Sequence, residues 1–276
     1  MSLAAATRSE VTKTFTTAGW WILALVLVVY VGSSAGGLGF ILAATASGNL
    51  SDAGTGMTGV DGAAVAGITY SLAASLGYVF PLLIGTLMVT AEFRHETLTP
   101  TFLATPRRGI VLAGKVLVAI LLGAIFAVLA LISAVGPGAA ALAVFGLDTA
   151  LGSSDTWAMF GRIAIALILW TIVGLGVGTL VRNQVAAIVI VLAFTQFVEP
   201  IARIAGNFVD GLGEVTHYLP GAASDALVGF SIFGTMGSDP NVTAGIEWWV
   251  GGLVLAGYAL VLLILGHFVS WRRDVS

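Results

Sequence analysis

IVLAGKVLVAILLGAIFAVLALISAVGPGAAALAVF, residues 110–145, carries one charged side chain, Lys115, and its apolar residues follow one another without alternation. A helix rises about 1.5 Å per residue, so ~20 mostly apolar residues cross the hydrocarbon core of a bilayer. This run is long enough to do so with residues to spare. Five more runs of the same character lie at 20–44, 66–91, 158–181, 185–208 and 248–270. The chain of 276 residues is 58% hydrophobic and 9% charged, against roughly a quarter charged in an average soluble domain. So few charges cannot cover the surface of a water-soluble globule. The expected fold is an all-α membrane protein of six transmembrane helices. No internal repeat or linker divides residues 1–276, which are read as one membrane domain.

Lys and Arg are retained on the cytoplasmic side of a membrane, which orients the spans. Arg8 and Lys13 precede the first run, Arg94, Arg107, Arg108 and Lys115 separate the second from the third, Arg182 separates the fourth from the fifth, and Arg272 and Arg273 end the chain. The opposite loops hold Asp52, Asp61, Asp148, Asp155, Asp210, Glu214, Asp225 and Asp239 instead. Both termini are therefore expected in the cytoplasm. Arg162 and Arg203 fall 20 and 21 residues from Arg182, about 30 Å away at helical rise, which takes both to the outer interface. Trp20, Trp21, Trp157, Trp248, Trp249 and Trp271 sit near run ends, as an aromatic belt requires.

Two segments outside the spans have their own character. Residues 1–19 combine Arg8, Glu10 and Lys13 with Leu3, Val11 and Phe15, a pattern that fits an interfacial helix on the inner leaflet and also a solvated tail. A secretory signal peptide is not expected, because no small-residue cleavage site follows a short apolar region. The outer segment 207–246 has an apolar middle, 222–236, too short to cross and return. It reads as re-entrant or interfacial.

The chemistry-bearing motifs are mostly exclusions. Gly109, Gly114 and Lys115 match the start of a phosphate-binding loop, but Val116 stands where Ser or Thr must ligate magnesium. The chain is thus expected to bind no ATP and no other cofactor. His95, His217 and His267 lie on separate segments without an HExxH pattern, GxSxG is absent, and there is no cysteine. Neither a metal site nor a catalytic set is expected. With no basic tract, nucleic acid is not an expected partner. Gly174, Gly176 and Gly178, and likewise Gly32 and Gly36, offer small-residue faces for helix packing. Glu199 and Arg203 are four apart, the spacing of a helical ion pair. Arg162, Glu199 and Arg203 are accordingly candidates for a structural rim or a substrate path.

The connection AEFRHETLTPTFLATPRRGIVLAGK, residues 91–115, is richer than a linker needs to be. Glu92, Arg94 and Glu96 alternate with Phe93, Leu98, Phe102 and Leu103; Thr99 before Pro100 suits a helix start, and Pro106 a helix end. The product is a short amphipathic cytoplasmic helix bracketed by charge. This stretch resembles the cytoplasmic signature of ABC type-2 exporter permeases. There an acid, a basic residue and a Gly-Thr pair precede a helix ending in Pro and Arg, with a Lys further on. Glu92, Arg94, Thr97, Pro106, Arg107, Arg108 and Lys115 occupy those places, and Glu96 stands where the family usually has Gly.

The resemblance extends to the layout: an interfacial N-terminal helix, six spans, a coupling helix within 92–108 and re-entrant elements between the last two spans. It implies a bacterial cell-membrane exporter in which two ATPase subunits bind ATP and Mg and dock on Glu92, Phe93, Arg94, Glu96, Thr97, Leu98, Phe102, Leu103, Pro106, Arg107 and Arg108. A second permease chain, identical or related, completes the pathway in the bilayer. Drugs, peptide antibiotics and lipid-like molecules are the implied cargo. The alternatives are a secondary transporter driven by an ion gradient and, behind it, an intramembrane enzyme. Topology is directly testable because no native cysteine needs removal. A cysteine at Ser51 is expected to react with an impermeant thiol reagent from outside the cell, and one at Thr101 is not; the reverse pattern overturns the orientation.

Overall fold

The computed structural model describes residues 2–50, 61–97, 108–206, 212–230 and 246–268. Among these residues the chain is helical, with no strand. The elements are α1 (Leu3–Thr16), α2 (Gly19–Ala46), α3 (Gly62–Ser75), α4 (Val79–Arg94), α5 (Arg108–Val144), α6 (Ser154–Leu180), α7 (Gln184–Ala193), α8 (Glu199–Gly206), α9 (Leu212–Thr216), α10 (Pro220–Val228) and α11 (Trp248–Gly266). Six helical stretches are long and apolar enough to cross a membrane, at 19–46, 62–94, 108–144, 154–180, 184–206 and 248–266. This is the makeup of a multi-pass membrane protein. Large apolar side chains such as Leu25, Val29, Ile132, Val189, Ile201 and Leu253 point outward, where lipid rather than water suits them.

Two of the six stretches are not the uninterrupted helices that hydropathy suggests, and proline is the reason in each. The second breaks between α3 and α4 at 76–78. Pro81 has no N–H to return to Gly77, whose carbonyl accepts from Phe80 instead at 3.2 Å. The fifth opens into a π turn, Phe194–Val198, between α7 and α8, which ends two residues before Pro200. The wider turn accommodates the missing donor and the ring. By contrast α5 runs unbroken through Pro137, against which Gly36 of α2 packs closely.

The helices pack through small residues, as 174–178 suggests. A Cβ on Gly174 would meet the Leu82 carbonyl, one on Gly85 the Thr171 carbonyl, and one on Gly178 the Thr86 carbonyl at 2.5 Å. The α4 and α6 backbones therefore touch directly. The Thr86 hydroxyl lies 3.1 Å from the Gly174 carbonyl and seals the contact. Gly176 and Gly266 serve the α6–α11 pair in the same way, against Leu262 and Thr179. In hydrocarbon this packing replaces the hydrophobic drive that water supplies to soluble cores. Gly174→Val is expected to separate α4 from α6 and to cost about 1–3 kcal/mol by overpacking. A lowered midpoint of thermal unfolding in detergent, against an unchanged midpoint for the loosely packed Gly37→Val, is the check.

Candidate functional site

The basic end of the bundle holds a ring of four charges, of which Glu10, Glu92 and Lys115 are buried and Lys13 is partly exposed. Two helical turns of α1 place Ala6 and Glu10 against α5, with Lys13 one turn on; Glu92 lies near the end of α4, and Lys115 in the second turn of α5. Lys115 Nζ is 2.6 Å from Glu10 Oε2 and 2.8 Å from Glu92 Oε2. Lys13 Nζ is 2.9 Å from Glu10 Oε1 and 2.9 Å from Glu92 Oε1. Each carboxylate thus divides its two oxygens between two ammonium groups, and the ring is neutral. Lys115 is 0% exposed and Glu10 3%, so a lone charge at either place would be costly. Burial lowers the affinity of Lys13 for its proton, yet Glu92 and Glu10 together outweigh it and hold the group above its ordinary 10.5. The stabilisation this adds is complete below 10.5 and is lost as the pH climbs through the higher folded value.

This ring stands at the root of the connection 95–107, with Glu92 before it and Lys115 after it. Phe93 is half-buried against the core, and the exposed Arg94 donates to Gln184 Oε1 at 3.4 Å. Helix α4 closes with the Thr97 amide donating to the Glu92 carbonyl and that of Glu96 to the Phe93 carbonyl, the paired bonds of a Schellman cap. Such a cap needs a left-handed residue, and Glu96 fills it with φ 54°. A glycine would take that conformation without the ~1 kcal/mol that a side chain adds, which gives the Gly-Thr pair of the resembled signature a backbone meaning. Leu98, Phe102, Leu103, Pro106 and Arg107, with most of the expected coupling helix, lie outside the described residues; Arg108 opens α5.

A second polar centre lies toward the acidic end, around Glu199 and Arg203. Arg203 Nη2 is 2.7 Å from Asp225 Oδ2, a partner from α10 rather than from its own helix. Glu199 Oε1 accepts the Ala222 amide at 3.0 Å, which satisfies a donor in the first turn of α10. Gly221 permits this approach, since a Cβ there would strike the Glu199 carboxylate. Glu199 is 2% exposed, and its Oε2 has no hydrogen-bond partner. Helix α10 is buried along its whole length. Trp170 of α6 donates to Ser224 Oγ at 3.1 Å, and Ser75 lies 3.5 Å from Asp225 Oδ1. Between α10, the α3–α4 break and the π turn is a cavity of about 400 Å³. Arg162 stands apart from it, over the Trp248 ring at 5.9 Å and against Gly229.

The sequence singled out Glu92, Arg162, Glu199 and Arg203 without their tertiary partners. Lys115, expected as an anchor at the membrane surface, is fully buried, and Glu10 and Lys13 carry more than the amphipathic pattern of α1 conveys. The i, i+3 spacing of Glu10 and Lys13 was legible; the approach of Glu92 across 79 residues and of Lys115 across 105 was not. No group of three or more acids and histidines able to hold a metal exists among the described residues. No protein-family model matches the chain, and no curated protein matches it significantly. Lys115→Met is expected to strand two carboxylates on one ammonium and to cost about 3–5 kcal/mol. Adding Glu10→Gln to that variant is expected to recover much of the loss in the same detergent unfolding assay, because one acid then faces one base.

Proposed function

We propose that this chain is the membrane-spanning permease subunit of an ATP-driven exporter in a bacterial cell membrane, with both termini in the cytoplasm. The observation that carries the reading is the ion ring. It fastens α1 to the ends of α4 and α5 on either side of the 95–107 connection, the stretch that resembles a coupling element. A partner that moves this connection moves three helices together. In this reading α1 lies on the inner leaflet, the loop 92–108 contains the coupling helix, and α9 and α10 are the re-entrant outer elements. Two ATPase subunits supply ATP and Mg, and a second permease chain completes the pathway. Work comes from the different affinity of the ATPase pair for the inward and outward arrangements. The cargo is a drug-like, peptide or lipid-like amphiphile moved outward, and the chain itself does no covalent chemistry.

Within that reading Glu92 acts from inside. It holds the coupling segment to the bundle, while Phe93, Arg94, Glu96, Thr97, Leu98, Phe102, Leu103, Pro106, Arg107 and Arg108 are the other residues assigned to ATPase docking. A second reading, secondary transport on an ion gradient, is supported by the buried Glu199 carboxylate beside a cavity. One experiment separates them. Full-length tagged chain recovered from its native membrane is expected to bring an ATP-hydrolysing subunit with it, and Phe102→Asp is expected to lose that subunit at unchanged chain abundance and thermal midpoint. Recovery of wild type with no ATPase, or an undiminished complex in the variant, overturns the exporter reading.

A further inference from the structure

We propose that the cavity between the α3–α4 break, the π turn and α10 is a binding site for a monovalent organic cation with an apolar body. As the cargo site it rests on the transporter reading; as a cation site it rests on the cavity alone. Three ionisable side chains line it among the described residues: Glu199, Asp225 and Arg203. Arg203 and Asp225 are joined at 2.7 Å, which leaves Glu199 as the lining acid outside that pair, and a bound cation favours its ionised form. Its Oε2 is buried and has no hydrogen-bond partner, an arrangement that a bound cation would complete.

The rest of the wall decides what kind of cation fits. It is mainly apolar, with Tyr30 and Phe80 at ring-contact distance of 6.1 Å and Leu192 also on the wall. Aromatic faces attract a poorly hydrated ammonium and its hydrocarbon body alike. An inorganic cation would need a shell of several oxygens, and no group of three acids and histidines provides one among the described residues. The volume, about 400 Å³, lies in the range of sites that hold drug-sized molecules. Access is lateral, because Tyr30 and Gln196 on its wall are exposed at the depth of the spans. Amphipathic cations concentrate in the bilayer, so they arrive from that side.

The test is binding of the fluorescent cation ethidium to the full chain in nanodiscs of zwitterionic lipid. Saturable binding is expected, with at least tenfold weaker affinity in Glu199→Gln and an affinity within twofold of wild type in Asp155→Asn. Gln keeps an oxygen for the Ala222 amide, so the cap on α10 is retained, and an unchanged thermal midpoint verifies it. Leu192→Trp fills the cavity without touching the carboxylate and is expected to weaken binding as much. Phenanthridine, the uncharged ring system of ethidium, is expected not to compete. Equal affinity of wild type and Glu199→Gln, or competition by phenanthridine at the same concentration, overturns the proposal. The measurement uses neither ATP nor a partner, so its failure is distinct from failure of the exporter reading.

Discussion

A fully buried ammonium at Lys115 sets the terms for the basic end of this protein. Left alone it would be neutralised or unfold its surroundings, since a charge out of water is stable only when paired and hydrogen-bonded. Two carboxylates answer it, and those two need a second cation, which Lys13 supplies. The closed ring requires α1, α4 and α5 to meet at one point. Helix α1, which has too little apolar character to hold itself on the bundle by burial alone, is docked by this constraint.

From that point the remaining architecture follows the rule that a membrane interior provides no hydrogen bonds of its own. Glycines let α4, α6 and α11 approach until their backbones touch, and threonine hydroxyls close on neighbouring carbonyls. Where proline removes a donor, the helix either breaks, as before Pro81, or widens, as before Pro200. Both irregularities face the same space. Together with the short helix α10, which a carboxylate from the fifth span caps, they leave the cavity that a bundle of six straight helices would have filled.

The two polar centres share one structural member. Helix α4 has 16 residues, about 24 Å at helical rise, with Glu92 at one end and the cavity-lining Val79 at the other. Its glycine and threonine face is locked to α6, so it transmits a displacement rather than absorbing it. In the exporter reading, force applied at the coupling segment reaches the cavity wall through this helix. The break at 76–78 separates this helix from α3.

How much of this was legible beforehand depends on the range of the interaction concerned. Six spans follow from runs of apolar residues, and the close packing of 174–178 from glycine spacing, because hydropathy and side-chain size act residue by residue. The resemblance of 91–115 also rests on local order, and the left-handed turn at Glu96 explains one position of that pattern. Glu92 and Lys115, however, read in sequence as a docking acid and a surface anchor, and Glu199 with Arg203 as a pair within one helix. Tertiary structure alone decided that Lys115 meets Glu10 across 105 residues, that Arg203 meets Asp225, and that Glu199 caps α10. A charge has no periodicity by which its partner can be found; it takes the nearest opposite charge that the folded backbone brings within reach, and in a dehydrated interior it must take one.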